Sequence, residues 1–283
     1  MKSIIIIFIG LFFTGCSYFQ KPAQLIHPNE WTGYSIYFSK LDKAFHQAGQ
    51  FNQKWSPFYK SGSIPYHKML DQQFEILGTY ISDDTEYLVI ENTNGNQFKM
   101  AFEFDDNFYA SMPSNMIFNN HIQKVEPLIG DTLWLNYTNN YSYFYTYHAY
   151  DFKRFEHVVV QDLELFQNQK DETPIWLKVK ANNGATGFVR YNGENQKLFG
   201  KPNFYYNENP LPKSWGKKRI TQITQKEIET GMTLKQVRHA LGNPDEIHTT
   251  SSRTSIGEQW VYGKTLAQKK YYLFENGKLV QTW

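Results

Sequence analysis

The chain has 283 residues, with 29 Lys and Arg against 27 Asp and Glu, and 17% of it is aromatic. A formal charge of +2 lacks the basic footprint of a nucleic-acid binder, and one cysteine excludes a disulfide framework, a zinc cluster and a redox pair. The length allows about two domains, and 20 Tyr and 22 Phe favour β structure.

The N-terminus opens with Lys2, continues through the apolar run Ile4 to Phe13, and reaches Thr14-Gly15-Cys16. A charged start, a short apolar core and a small residue before a cut make a signal peptide over residues 1–15. The apolar run is about half of the roughly 20 residues that a membrane-spanning helix needs. Phe13-Thr14-Gly15-Cys16 resembles the bacterial lipobox, with Phe13 in place of the usual aliphatic residue. The resemblance implies cleavage before Cys16 and lipid attachment there, with diacylglycerol on sulfur and an acyl chain on nitrogen. More than one chain gives stable anchoring. Ser17, rather than Asp, after the cysteine implies the periplasmic face of an outer membrane.

Residues 16–73 read as a tether, marked by Pro22 and Pro28, followed by a helix from Thr32 to Ala48. Tyr34, Tyr37, Phe38, Leu41, Ala44, Phe45 and Ala48 recur at helical spacing, and Gly49 supplies a stop. From residue 74 to 192 the pattern is β-rich. Tyr87 to Ile90 is a strand, Thr93 to Asn96 a turn, and Phe98, Met100, Phe102 and Phe104 alternate with polar neighbours. Asp131 to Asn136 forms another strand. A second unit runs from Phe155 to Tyr191 and ends in two strands, Ile175 to Lys180 and Thr186 to Arg190, joined at Asn182-Asn183-Gly184. Trp176, Val179, the Gly184 turn and Gly187-Phe188-Val189 resemble the last strands of bacterial Src-homology-3-like barrels, with Phe188 where those carry a second Trp.

Residues 193–219 read as a linker, with Pro202, Pro210 and Pro212. Its basic residues Lys197, Lys201, Lys213, Lys217, Lys218 and Arg219 suit a solvated connector; the sharper alternative is attraction to anionic headgroups. In 220–283, Thr224 to Glu227 and Thr233 to Gln236 have capping-box form. The second opens a helix bearing Leu234, Val237 and Leu241 on one face, with His239 outward, and Gly242 and Pro244 end it. Strands follow at Glu246 to Thr250, Glu258 to Gly263 and Lys269 to Glu275, and Asn276-Gly277 turns the chain into a last one, Lys278 to Trp283.

Gly231-Met232-Thr233, Val237, Leu241-Gly242-Asn243-Pro244, Trp260-Val261-Tyr262 and Phe274 to Leu279 appear in that order. This series resembles the SmpA/OmlA (BamE-like) family of outer-membrane lipoproteins. The resemblance implies a two-helix, three-strand α+β sandwich and a part in outer-membrane protein assembly or envelope integrity. In that family the domain lies close to the anchor, whereas here some 200 residues intervene.

The chemistry-bearing residues form no catalytic pattern. The eight histidines lack metal spacing, and neither a Gly-x-Ser-x-Gly elbow nor a phosphate loop is present. His148 and Asp151, three apart, suit a surface. Asp83-Asp84 and Asp105-Asp106-Asn107 suit turns rather than calcium loops. Tyr137, Tyr141, Tyr143, Phe144, Tyr145, Tyr147, Tyr150 and Phe152 either line a barrel wall on alternate members or offer an aromatic surface to proteins or glycans.

The expected fold is mostly β with α+β: one or two small antiparallel barrel-like units, then a two-helix sandwich of three to four strands. The expected function is a non-catalytic envelope lipoprotein acting as a binding or scaffold module, without cofactor or metal. Its partners are the membrane, through the anchor, and envelope or outer-membrane proteins, but no nucleic acid; the alternative is a lipoprotein that binds cell-wall polysaccharide. Replacing Cys16 by Ser should leave an unprocessed precursor that takes up no radiolabelled fatty acid. Normal processing and membrane retention of that variant would remove the lipid anchor from the account.

Overall fold

In the computed structural model, which describes residues 25–46, 54–102, 113–169, 172–193, 200, 203–251 and 256–283, the segment expected to open as a helix is extended. It forms β1 (Ser35–Phe38) and β2 (Lys40–Leu41), then one 3-10 turn at Lys43–Phe45. Ile36 and Phe38 point into the core while Ser35 and Tyr37 are half-buried, the two-residue period of a strand. Helical spacing of the aromatics was a coincidence, because branched and aromatic side chains fit a pleated surface better than a helix. Ala48 and Gly49 lie outside the described residues.

The first sheet continues with β3 (Ser56–Pro57), β4 (Gln73–Ser82), β5 (Thr85–Asn92), β6 (Gln97–Ala101) and β7 (Met116–Phe118). Its strands lie antiparallel in the order β3-β6-β5-β4-β1-β7. Asp83 and Asp84, with φ of 49° and 61°, make the tight turn between β4 and β5, as expected of them. Ile36, Phe38, Trp55, Phe74, Ile76 and Leu88 fill one face. On another surface Lys99 places its ammonium over the rings of Phe58, Tyr80 and Tyr87, at 5.0–5.8 Å.

A short helix, α1 (Asn119–Val125), leads to β8 (Thr132–Leu135), β9 (Phe144–Tyr145), β10 (His157–Gln167), β11 (Ile175–Lys180), β12 (Thr186–Arg190) and β13 (Tyr205–Tyr206). These form a second antiparallel sheet in the order β13-β8-β10-β11-β12-β9, and β2 adds to the end of β10 in parallel. The strands of residues 74–192 are thus shared between two sheets. Gly187 sits in β12 because the Phe144 ring crosses it: a Cβ there would lie 2.6 Å from that ring. The stretch 193–219 is not a solvated connector throughout. Asn203, Phe204, Tyr205 and Tyr206 are buried, since an aromatic triplet gains more by pairing with β8 than by remaining in water.

The last unit contains α2 (Gly216–Thr224), α3 (Leu234–Leu241) and the meander β14 (Glu246–Ser251), β15 (Ile256–Tyr262), β16 (Lys270–Glu275) and β17 (Lys278–Thr282). The Thr224 box is not used: Thr224 ends α2, and its hydroxyl donates to the Ile220 carbonyl at 2.9 Å. The Thr233 box is formed, with Gln236 N donating to Thr233 Oγ1 and Thr233 N to Gln236 Oε1 at 2.9 Å. Val237 and Ala240 are fully buried against Trp260, Phe274 and Leu279. Asn276 and Gly277, with φ of 49° and 75°, make the final hairpin turn. The β17 edge is protected: Leu279 exchanges hydrogen bonds with Gly231 and Met232, and the register shifts beside it.

His239 is not outward but buried, at 7% exposure, between the rings of Tyr206 at 4.8 Å and Trp215 at 5.6 Å. A helix read from its own sheet alone has one buried face; here the second sheet covers another. Arg154 completes that contact. Its guanidinium donates to the carbonyls of His239 and Ala240 in the last turn of α3 and to Asn136 Oδ1 at 2.8 Å. It thereby satisfies acceptors that a helix end leaves open, and a cation suits that end of the dipole. Burial, with the charges of Lys235, Arg154 and Arg238, lowers the His239 pKa to about 4. The unfolded imidazole therefore binds its proton first. The stability contributed by neutral His239 is complete above about pH 6.5 and is lost as pH falls towards 4, at roughly 1.4 kcal/mol for each step of one in pH. Urea unfolding of His239→Phe, which keeps a ring and removes the titration, should show a flatter dependence across that window than the native chain. Equal slopes would place the ring in water.

Candidate functional site

The aromatic run from Tyr137 to Phe152 divides according to the strand it crosses. In β9, Phe144 faces the main core of the second sheet and Tyr145 the opposite side, as adjacent strand residues must. Tyr143 stacks on Phe204 at 4.5 Å, and Phe152 packs on Phe144 at 5.1 Å, so these members are wall. Tyr145 joins Trp176 and Phe188 in a second buried cluster. It lies flat against its cross-strand partner Phe188, at 4.7 Å and 9°. Tyr141 and Tyr147, at 53% and 81% exposure, are surface. The run is therefore divided, with some members packed in the second sheet and Tyr141 and Tyr147 at the surface.

The two exposed rings are held in place. Tyr147 sets its edge against Tyr145 at 5.6 Å and Phe188 at 5.9 Å. Tyr141 packs on Tyr145 at 5.9 Å and donates its hydroxyl to Asp42 Oδ2 at 2.7 Å. Beneath them Trp176 donates Nε1 to the Phe166 carbonyl at 2.7 Å, and Arg190 lies over the Trp176 ring at 4.4 Å. Arg190 is wholly buried and donates to Ser142 O at 2.8 Å, to Thr173 O and to Asn168 Oδ1. Burial lowers its pKa to about 10, which leaves it cationic at neutral pH.

Beside the rings is a cleft of about 350 Å³, walled by Tyr141, Tyr145, Tyr147 and Tyr150 and edged by Asn139 and Asp151. Tyr150 donates to Glu156 Oε1 at 2.8 Å, and Asp151 pairs with Lys153. The hydroxyls of Tyr141, Tyr145 and Tyr147 are all pushed up in pKa, first by burial. Asp42 adds to this at Tyr141 and Glu164 at Tyr145 and Tyr147. They stay protonated at neutral pH, suited to stacking and hydrogen bonding rather than to nucleophilic attack.

The other sequence candidates are not brought together here. His148 is exposed, its backbone N–H donating to Thr146 Oγ1 at 3.0 Å, while Asp151 pairs with Lys153. Lys218 and Arg219 of the basic stretch both pair with Glu229, at 3.2 and 3.4 Å. Cys16, Asp105, Asp106, Asn107, Lys197 and Lys201 lie outside the described residues. Among the described residues no group of three His, Cys, Asp or Glu is placed to hold a metal ion, and no helix is long and apolar enough to cross a membrane. Asp42, Glu164 and Arg190 carried no signal in the sequence, because each acts on rings far from it along the chain.

Among the described residues the Tyr145 hydroxyl is buried without a hydrogen-bond partner, which costs roughly 1–3 kcal/mol. Tyr145→Phe should therefore match or exceed the native chain in urea-unfolding stability, by up to about 1 kcal/mol. Tyr145→Ala, which empties the centre of the cluster, should lose about 3–5 kcal/mol. No family model matches the chain, and no curated protein and no solved structure is significantly similar to it.

Proposed function

We propose that the chain is a lipid-anchored envelope protein of the outer membrane's periplasmic face, working as a non-catalytic binding or scaffold module. In this reading residues 220–283 are an SmpA/OmlA (BamE-like) unit that engages proteins of the outer membrane. The supporting observation is the order and packing of that unit. Two helices precede a four-stranded antiparallel meander, and α3 buries Val237 and Ala240 on the sheet through the capping box at Thr233. The family's sandwich has three strands; β17 here is a fourth, within the three to four expected from the sequence. The middle sheet, with its Src-homology-3-like hairpin β11–β12, serves as the platform on which the unit is carried through Arg154.

A second reading, recognition of cell-wall polysaccharide by the middle sheet, is favoured by one observation: Tyr141 and Tyr147 are exposed yet fixed by contacts to buried rings. Two lipidated variants separate the readings, one ending at Lys213 and one full-length with Tyr147→Ala. The scaffold role requires that the first variant, checked for retained sheet structure by circular dichroism, loses in-cell cross-linking to outer-membrane proteins. It also requires that the second variant keeps that cross-linking. Undiminished capture by the chain ending at Lys213 would reject the role of the C-terminal unit.

A further inference from the structure

Three other features of the surface carry less. The ring cage of Phe58, Tyr80 and Tyr87 is filled by the chain's own Lys99. The groove along Ser63, Pro65, His67 and Leu70 shows nothing to say what covers it. The stacked pair Tyr271 and Trp283, on the sheet of the last unit, likewise shows nothing that would meet it.

The tyrosine cleft differs because its unused groups specify a chemistry. Thr138 and Asn139, together with the Tyr147 hydroxyl, make no hydrogen bond among the described residues, and all three line the cleft. They present hydroxyl and amide groups that both donate and accept. The Thr146 hydroxyl is already engaged, donating to Thr186 O at 2.7 Å. The lining carries no Lys or Arg, and its one carboxylate, Asp151, is 82% exposed in its side chain. Asp42 and Glu164 stand behind the tyrosine hydroxyls. An anionic ligand would meet these acids and find no cation in the lining to pair with. A purely apolar ligand would strand the polar rim. What remains is a ring with an apolar face and a hydroxyl-rich edge. Such a ring lays its C–H face on an immobilised aromatic and gives its hydroxyls to amide, hydroxyl and carboxylate groups at the rim. The volume, about 350 Å³, is at the small end for ligand clefts. Because the Tyr147 ring is already fixed against Tyr145 and Phe188, little side-chain entropy is lost on stacking.

We infer that this cleft is a subsite for a neutral saccharide, with Tyr147 as the stacking face and Asn139, Thr138 and Asp151 as the polar contacts. The inference rests on the reading of the chain as a binding module and names a ligand for its middle sheet. It is tested on the soluble chain from residue 17 by isothermal titration with tetramers of N-acetylglucosamine, glucose and mannose. Polygalacturonate serves as the acidic polymer and a proline-rich decapeptide as the competing aromatic-groove ligand. Saturable binding of at least one neutral tetramer is expected, with no binding of polygalacturonate. Tyr147→Ala and Asn139→Ala should each weaken it about tenfold or more while leaving the urea midpoint unchanged. Tyr271→Phe, on the sheet of the last unit and outside the cleft lining, should leave affinity within about twofold. Failure of all three tetramers to bind overturns the inference, as does binding insensitive to Tyr147→Ala. Decapeptide binding that depends on Tyr147 would overturn it in favour of a peptide site. Cross-linking to outer-membrane proteins is scored separately in cells. A chain that captures those proteins but binds no saccharide loses this inference and keeps the scaffold role.

Discussion

The middle of the molecule is organised around a buried guanidinium. Arg190, at the end of β12, has no exposed surface, and a charge in that position is costly unless its donors are used. Its donors are used on three neutral acceptors from three parts of the chain: Ser142 before β9, and Asn168 and Thr173 between β10 and β11. Its backbone N–H adds a fourth tie, to the Tyr143 carbonyl at 2.9 Å. Asn168 is held in turn by donating to the Tyr141 carbonyl at 2.7 Å. The aromatic loop is therefore rigid because of a cation on the other side of the sheet from its core, and the exposed tyrosines inherit that rigidity.

A second arginine joins the units. Arg154 lies before β10, its guanidinium 4.3 Å from the centre of the Phe155 ring, and reaches the last carbonyls of α3. The two arginines act by the same rule: a planar fork of donors satisfies backbone acceptors that no regular element would satisfy. At Arg190 the acceptors belong to loops within one sheet; at Arg154 they belong to a helix end in the next unit. With β2 crossing from the first sheet to the end of β10, each neighbouring pair of units is tied by polar backbone contacts as well as by apolar packing.

For function, this arrangement separates two surfaces. The tyrosine cleft sits on the middle sheet among hydroxyl and amide groups and the carboxylate of Asp151. The C-terminal unit presents its own sheet, with one edge protected at Gly231 and Met232.

Local signals in the sequence translated directly into structure. The Thr233 box, the Asn276-Gly277 turn, the Asp83-Asp84 turn and the strands around Tyr87, Ile175 and Trp260 depend on residues within a few positions of each other, so their physics is complete in a short window. The second helix and the four strands of 220–283 were legible for the same reason, whereas the first helix starts at Gly216, in the stretch read as a linker. What the window could not contain was contact order. Tyr141 meets Asp42 across 99 residues, and Arg154 meets Ala240 across 86. Ser35–Phe38 became a strand because β4 and β7 offered it edges, with Ile36 facing both Phe74 and Phe118. Phe204–Tyr206 was hidden by its prolines and lysines until β8 gave it a partner. His239 went inward because a neighbouring unit covers the helix face that its own sheet leaves bare. By itself the sequence determined the Thr233 cap, the tight turns and the hairpins they join. Tertiary structure decided which aromatics are wall and which are surface, because that choice depends on side chains brought together only after the sheets have closed.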